Sequence, residues 1–98
     1  MSTENTNALK ELIFPVARKY GVDRILLFGS MARGDANENS DYDFLISKGK
    51  LRSLIQYMAF VGELEALLNS HVDVITDTSS DTNIIQTALQ EGVLIYEG

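Results

Sequence analysis

Apolar residues near the N-terminus recur at the spacing of one helix face. They recur every three or four positions, at Leu9, Leu12, Ile13, Val16 and Tyr20. This spacing predicts a leading helix that ends near Gly21. Pro15 interrupts the pattern, because proline lacks the amide hydrogen that a helix interior needs. Two interpretations stay open: a helix that kinks at Pro15, or a second helical turn that begins there.

Two further helices are predicted from the same spacing. The longer one has apolar residues along one side at Leu51, Leu54, Ile55, Met58, Val61, Leu64 and Leu68. We interpret this stripe as core, with any surplus apolar side available to a partner. A shorter helix is predicted around Ile84, Ile85, Ala88 and Leu89, with Gly92 as its stop.

Short apolar runs between the helices predict strands at 24–28, 42–46, 71–75 and 93–96. The polar segment 30–40 is predicted to be mostly loop, with a short helical turn over 30–33. Helices and strands therefore alternate along the chain. This order predicts an α/β fold, a small mixed sheet of about four strands packed with helices, in a single domain over residues 1–98.

Composition narrows the classes of function. The chain has no cysteine, which excludes disulfides, a thiolate nucleophile and a cysteine zinc site. The polar N-terminus lacks the apolar segment of a signal peptide, and no apolar run approaches the roughly 20 residues that span a bilayer. We expect a cytoplasmic protein with no membrane partner.

The formal net charge of -6 bears on partners. It disfavours long nucleic acid, because grip on a phosphate backbone relies on clustered cations. The basic residues are scattered, apart from Lys48, Lys50 and Arg52. We interpret that group as a solvated loop, although it could instead reach a triphosphate. A small nucleotide or a protein is therefore a better partner than long nucleic acid. Net charge alone does not decide this, because a local basic patch can sit on an acidic protein.

The dipeptide Gly29-Ser30 follows a predicted strand and precedes a predicted helical turn. A small residue there lets backbone amides approach an anion, and a helix N-terminus favours phosphate. When the dipeptide is taken alone, a plain turn capped by Ser30 is the better explanation, because Gly-Ser is common in turns.

Carboxylates fall on the next two predicted strands. Asp41 and Asp43 are two residues apart, so they point to one face of a strand and together suit a pair of magnesium ions. Asp73 lies between two valines, where an acid is costly to bury without partners. Alternation places Asp73 and Ile75 on one face, and the alternative is a strand end that points to water.

Together these motifs resemble a known signature. The run from Gly29 to Gly34, followed by Ser40-Asp41-Tyr42-Asp43-Phe44-Leu45, is similar to that of the DNA polymerase beta-like nucleotidyltransferase superfamily. Gly-Ser, ten intervening residues and then Asp-x-Asp match its spacing, and the Ala32-Arg33-Gly34 extension resembles its minimal branch. The resemblance implies a polymerase beta palm-like fold.

The resemblance also implies roles for individual residues. Asp41 and Asp43 would hold two Mg²⁺ ions. Asp73 would bind the catalytic ion and orient or deprotonate an acceptor hydroxyl. Gly29 and Ser30 would bind the nucleotide phosphates.

Two residues near these motifs keep simpler interpretations beside the functional ones. The functional interpretation of Arg33 is a contact with phosphate. The simpler one, of equal weight, is a salt bridge or a cap near Asp35. His71, the single histidine, is interpreted as a surface or cap residue rather than a base.

The implied reaction is the transfer of a nucleoside monophosphate, AMP from ATP, onto a hydroxyl group. Minimal nucleotidyltransferases often serve as antitoxins, so the implied acceptor is a tyrosine of a small helical HEPN toxin. The alternatives are a catalytically silent binding module and a nucleotidyltransferase that acts on an antibiotic or RNA. Homo- or hetero-oligomers both stay open.

Overall fold

The computed structural model describes residues 3–29, 32, 41–78 and 82–98. Its helices are α1 (Thr3–Tyr20), α2 (Leu54–Leu68) and α3 (Thr82–Glu91). Its strands are β1 (Arg24–Phe28), β2 (Tyr42–Ser47), β3 (Val72–Thr76) and β4 (Val93–Glu97). None of the helices in these ranges combines the length and the apolar character needed to cross a membrane.

The four strands form one mixed sheet in the order β3-β2-β1-β4. β1 pairs antiparallel with both β2 and β4, whereas β2 and β3 are parallel. Parallel neighbours need a long connection, and α2 supplies it. The predicted α/β fold with a small mixed sheet is confirmed.

Helix α1 continues across Pro15, so no second helix begins there. Pro15 is exposed, and its missing amide leaves a carbonyl on the side where water can replace the bond. The opposite side is buried at Leu9, Ile13 and Ala17. The helix ends where predicted, because Gly21 adopts φ 71°, a left-handed conformation that glycine adopts without strain.

Helix α2 differs from its predicted packing. Ser53 caps its start by accepting a 3.0 Å bond from the Gln56 amide. The predicted core stripe is wrong at three positions, since the exposed fractions are 73% at Leu54, 83% at Ile55 and 65% at Met58. The inner side is instead formed by residues such as Phe60, which is fully buried.

The reason lies in the composition of α2. Large apolar residues occur on its buried and its exposed sides alike, so their spacing alone does not select the side that packs. Leu51 and Leu64 of the predicted stripe are buried, whereas Val61 and Leu68 are only partly so.

The sheet separates two apolar clusters. Phe44 and Ile46 of β2 belong to the larger cluster, together with residues of α1 and α2. Leu45, between them, points the other way and packs with Phe28 and Ala88 near α3. This alternation places every odd-numbered β2 side chain on the face that carries α3.

Candidate active site

The end of β1 and the starts of β2 and β3 lie together at one end of the sheet. Phe28 is opposite Asp43 in the antiparallel pair, and Asp43 is opposite Asp73 in the parallel pair. Residues opposite each other in a sheet share a face. Asp43 and Asp73 therefore lie on the α3 face, as the alternation around Asp73 predicts.

Gly29 and Asp43 form one part of this site. Gly29 has φ 77°, and a Cβ there would collide with the Asp43 carboxylate. Only a glycine lets that carboxylate lie directly against the turn after β1. The Ala32 amide donates a 3.1 Å bond to the Gly29 carbonyl, as in a tight turn. The predicted phosphate contacts Ser30 and Arg33 lie outside the described residues.

A second part of the site brings together Asp41, His71 and Asp73. One ligand atom of each lies within 4.8 Å of the other two, and all three side chains are exposed. The Tyr42 amide donates a 3.1 Å bond to the His71 carbonyl, which aligns the starts of β2 and β3. Among the described residues this trio can hold a metal ion, and it includes two of the three predicted carboxylates. Asp43 stands beside it, against Gly29.

His71, which the sequence predicts to be a surface or cap residue, is exposed and lies between two carboxylates. Its Nε2 lies 3.0 Å from Asp73 Oδ1, and its Nδ1 lies 3.2 Å from Oε2 of Glu65 in α2. A signal was available in the sequence. His71 precedes Asp73 by two residues, which is the spacing that places two strand residues on one face.

The electrostatics of the trio follow from its negative charge. The hydrogen bond to Asp73 raises the pKa of His71, and the Asp73, Asp41 and Glu65 carboxylates add to that rise. Partial desolvation opposes it. The cluster therefore attracts a positive charge, either a proton on the imidazole or a cation between the carboxylates.

The basic group at 48–52 lies elsewhere. The Lys50 amide donates a 2.9 Å bond to the carbonyl of Gly21, near the start of β1. Its side chain lines an open cavity of about 430 Å³ with Arg18 and Lys19. The acidic site is at the other end of β1, so the solvated-loop interpretation of Lys50 is favoured over contact with a triphosphate.

A second open cavity, of about 710 Å³, also lies away from the acidic trio. Its lining includes Asp23, Ser47 and Glu97, near the start of β1 and the ends of β2 and β4. The candidate chemistry is therefore concentrated in the exposed carboxylates and not in either of these cavities.

Comparison with known proteins gives a consistent result. The family described as polymerase beta, nucleotidyltransferase matches residues 11–98. The protein adenylyltransferase MntA of Thermococcus cleftensis is 38% identical over 77 residues, which cover 79% of this chain and 78% of that protein. A solved structure described as a candidate minimal nucleotidyltransferase matches with a TM-score of 0.78 at 30% identity, covering 95% of each chain.

A further structural match concerns a complex. It is described as a tri-AMPylated Shewanella oneidensis HEPN toxin with an MNT antitoxin. The TM-score is 0.72 at 20% identity, over 95% of this chain and 73% of that one. At this identity the match concerns the fold alone.

Proposed function

This chain belongs to the polymerase beta nucleotidyltransferase family, in its minimal branch, and we propose that it is a metal-dependent protein adenylyltransferase with an antitoxin role. The resemblance carried by residues 29–34 and 40–45 is confirmed at the level of the family. The observation that carries the proposal is the register that sets Asp43 beside Asp73, with Gly29 at the end of the neighbouring strand.

The residues fit divalent metal ions. Asp41, Asp43 and Asp73 supply hard carboxylate oxygens, which Mg²⁺ prefers; Asp41 and Asp73 are exposed, and Asp43 is partly exposed. Bound metal would neutralise the charge that develops on the phosphates as pyrophosphate leaves. Asp73 would orient the acceptor hydroxyl or take its proton. Gly29 would let the chain approach the phosphates closely.

The outer residues of the nucleotide site follow the family resemblance. Ser30 would donate its hydroxyl to a phosphate, and Arg33 would add a cation beside it. The hydroxyl would add a hydrogen bond to the triphosphate, and the guanidinium would offset part of its negative charge. ATP is the proposed nucleotide because the MntA relative is named an adenylyltransferase.

The proposed acceptor is a tyrosine hydroxyl of a HEPN toxin. Two observations support it: the relative named protein adenylyltransferase, and the similar fold in a complex with a tri-AMPylated toxin. A tyrosine hydroxyl suits a site that deprotonates an oxygen nucleophile, because its ordinary pKa is near 10, far below that of an aliphatic alcohol.

The test is a labelling reaction. The chain is mixed with Mg²⁺, α-labelled ATP and soluble extract of its host, beside the double variant Asp41→Ala, Asp43→Ala. A matched control is the variant Asp23→Ala, Asp77→Ala, which removes two exposed carboxylates near the opposite end of β1.

We expect label on one small protein, on tyrosine, with the native chain and with the control, and none with the Asp41/Asp43 variant. Label on RNA or on a small molecule would keep the transferase and overturn the antitoxin role. Absence of label with all four nucleoside triphosphates would instead support a silent binding module.

A further inference from the structure

The connection between α2 and β3 holds the chain's single histidine over the acidic site. We propose that His71 Nε2 is a direct metal ligand beside Asp41 and Asp73, and that Glu65 orients the ring for it. The proposal rests on the proposed function, because the metal is that of the transferase. It adds a nitrogen donor to a site for which the family resemblance implies only carboxylates.

The backbone places His71 with little freedom. Asn69 ends α2 in the left-handed conformation, with φ 50°, and its amide donates to the Glu65 carbonyl. The Ser70 amide donates to the same carbonyl at 3.3 Å. The chain therefore reverses within a few residues and delivers His71 to the start of β3, directly before Val72.

Glu65 is itself held at both ends. Its carbonyl accepts the two bonds of the helix end, and its Oε2 accepts a 3.3 Å bond from the Val72 amide. The same Oε2 lies 3.2 Å from His71 Nδ1. This carboxylate is therefore fixed by the secondary structure before it meets the imidazole.

The contact with Glu65 determines which ring nitrogen is available. Both ring nitrogens face a carboxylate, but the two carboxylates differ in role: a cation bound by Asp73 would take the place of the proton between Nε2 and Oδ1, whereas Glu65 keeps the proton on Nδ1. Histidine ligands of metals are commonly oriented in this way by a carboxylate on the other nitrogen. Here Nε2 is the nitrogen that faces Asp73.

The distances suit a shared ion. Two ligands at right angles, each about 2.1 Å from a metal, lie about 3.0 Å apart. His71 Nε2 and Asp73 Oδ1 are 3.0 Å apart. One ligand atom each of Asp41, His71 and Asp73 lies within 4.8 Å of the other two, near the roughly 4.2 Å that separates opposite ligands. The His71 and Asp73 side chains are 59% and 54% exposed, so they have room for the remaining adjustment.

A nitrogen donor changes the preference among metals. Mg²⁺ strongly prefers oxygen ligands, whereas the affinity of mixed nitrogen and oxygen sites rises from Mn²⁺ to Co²⁺ and beyond. The position held by Asp41, His71 and Asp73 should therefore bind Mn²⁺ more tightly than Mg²⁺. Asp43 lies outside this trio, against Gly29.

The test uses Mn²⁺ and the full chain without a histidine tag, in the absence of nucleotide and partner. His71 is the single histidine, so modulation of the bound Mn²⁺ electron spin echo by imidazole nitrogen reports on this residue alone. Free Mn²⁺ measured by its paramagnetic resonance signal gives the affinity. Competition with Mg²⁺ gives the selectivity.

We expect nitrogen modulation in the native chain and its loss in His71→Gln, which can still donate to Glu65. The preference for Mn²⁺ over Mg²⁺ should fall at least about tenfold in that variant. Glu65→Gln should keep the modulation and weaken Mn²⁺ binding about tenfold, as second-layer changes do. Asp77→Asn, which also removes one negative charge, should change neither.

Two results would overturn the proposal: bound Mn²⁺ without nitrogen modulation in the native chain, or an unchanged Mn²⁺ preference in His71→Gln. Either result would leave the transferase intact, since carboxylates alone could still hold the metal and label transfer is measured separately. Loss of label transfer with the nitrogen modulation retained would instead count against the proposed function only.

Discussion

The two faces of the sheet differ in function, and adjacent residues of β2 lie on opposite faces. On one face α1 and α2 close over Phe44 and Ile46. On the other, α3 packs beside Phe28 and Leu45, while the strand starts carry Asp43 and the exposed acidic residues. Alternation along β2 therefore separates two faces. We call the face with Phe44 and Ile46 the closed face, because it stabilises the fold, and the face with Asp43 the open face, because it carries the candidate chemistry.

The difference is also one of solvent. Among the described residues no polar or charged side chain is buried, and Asp41 and Asp73 are exposed, so these carboxylates keep their hydration. Ionised carboxylates that remain wet are ready to exchange water for a cation. The closed face gains its stability from apolar burial. Substitutions on the two faces should consequently separate activity from stability.

The largest effect is expected on the open face. Asp73→Asn removes the charge but keeps an acceptor for His71, so the free energy of unfolding should change by less than about 1 kcal/mol. Transfer should fall about a thousandfold, since metal-assisted charge stabilisation contributes several kcal/mol. Label transfer and urea unfolding measure the two. Unchanged transfer would make Asp73 only an exposed acid at a sheet edge.

The next largest effect is expected one residue from Asp43, on the closed face. Phe44 is fully buried, and Phe44→Ala should lower the free energy of unfolding by about 3–5 kcal/mol. Urea unfolding measures the loss, and Phe44→Leu, which fills more of the space, should lose less. Metal affinity of the fraction that stays folded should be retained. A loss below about 1 kcal/mol would contradict the closed packing of this face.

A smaller effect is expected at Gly29, in the turn after β1. Gly29→Ala should destabilise the fold by about 1–2 kcal/mol, because its φ is positive, and should displace the Asp43 carboxylate. Metal affinity and the free energy of unfolding, measured with urea, should both decrease.

Gly62 in α2 is the matched control for that change. A Cβ there meets nothing within 4 Å, and alanine is the better helix former. Gly62→Ala should therefore stabilise the protein by about 1 kcal/mol. Equal effects at Gly29 and Gly62 would contradict the special role of the first.

Much of the fold was predictable from local pattern. Apolar runs bounded by glycine or polar residues correspond to all four strands. The period-two alternation correctly placed Asp73 on the face of β3 that does not carry Val72 and Val74. The carboxylate motif also lies where the sequence implied, at the start of β2. These features depend on neighbours in sequence, which one chain displays directly.

The rest depends on contacts between distant elements. The spacing of two residues accounts for the contact of His71 with Asp73, but His71 approaches Asp41 because β2 and β3 are parallel and in register, and Glu65 of α2 reaches its Nδ1. Neither fact is visible in a single strand. Likewise, Leu54, Ile55 and Met58 looked like core because they share the helical period of Leu64, yet α1 and β3 contact another side of α2.

That exposed side of α2 gives the smallest expected effect. Ile55→Gln and Met58→Gln together should change the free energy of unfolding by less than about 1 kcal/mol, because both side chains already contact water. Leu64→Ala, on the buried side of the same helix, should cost about 2–5 kcal/mol. Urea unfolding at two protein concentrations measures both. If the free energy of unfolding that the double variant loses depended on protein concentration, this side of α2 would pack against a second copy of the chain. The molecule would then have a third functional surface, shared between two copies.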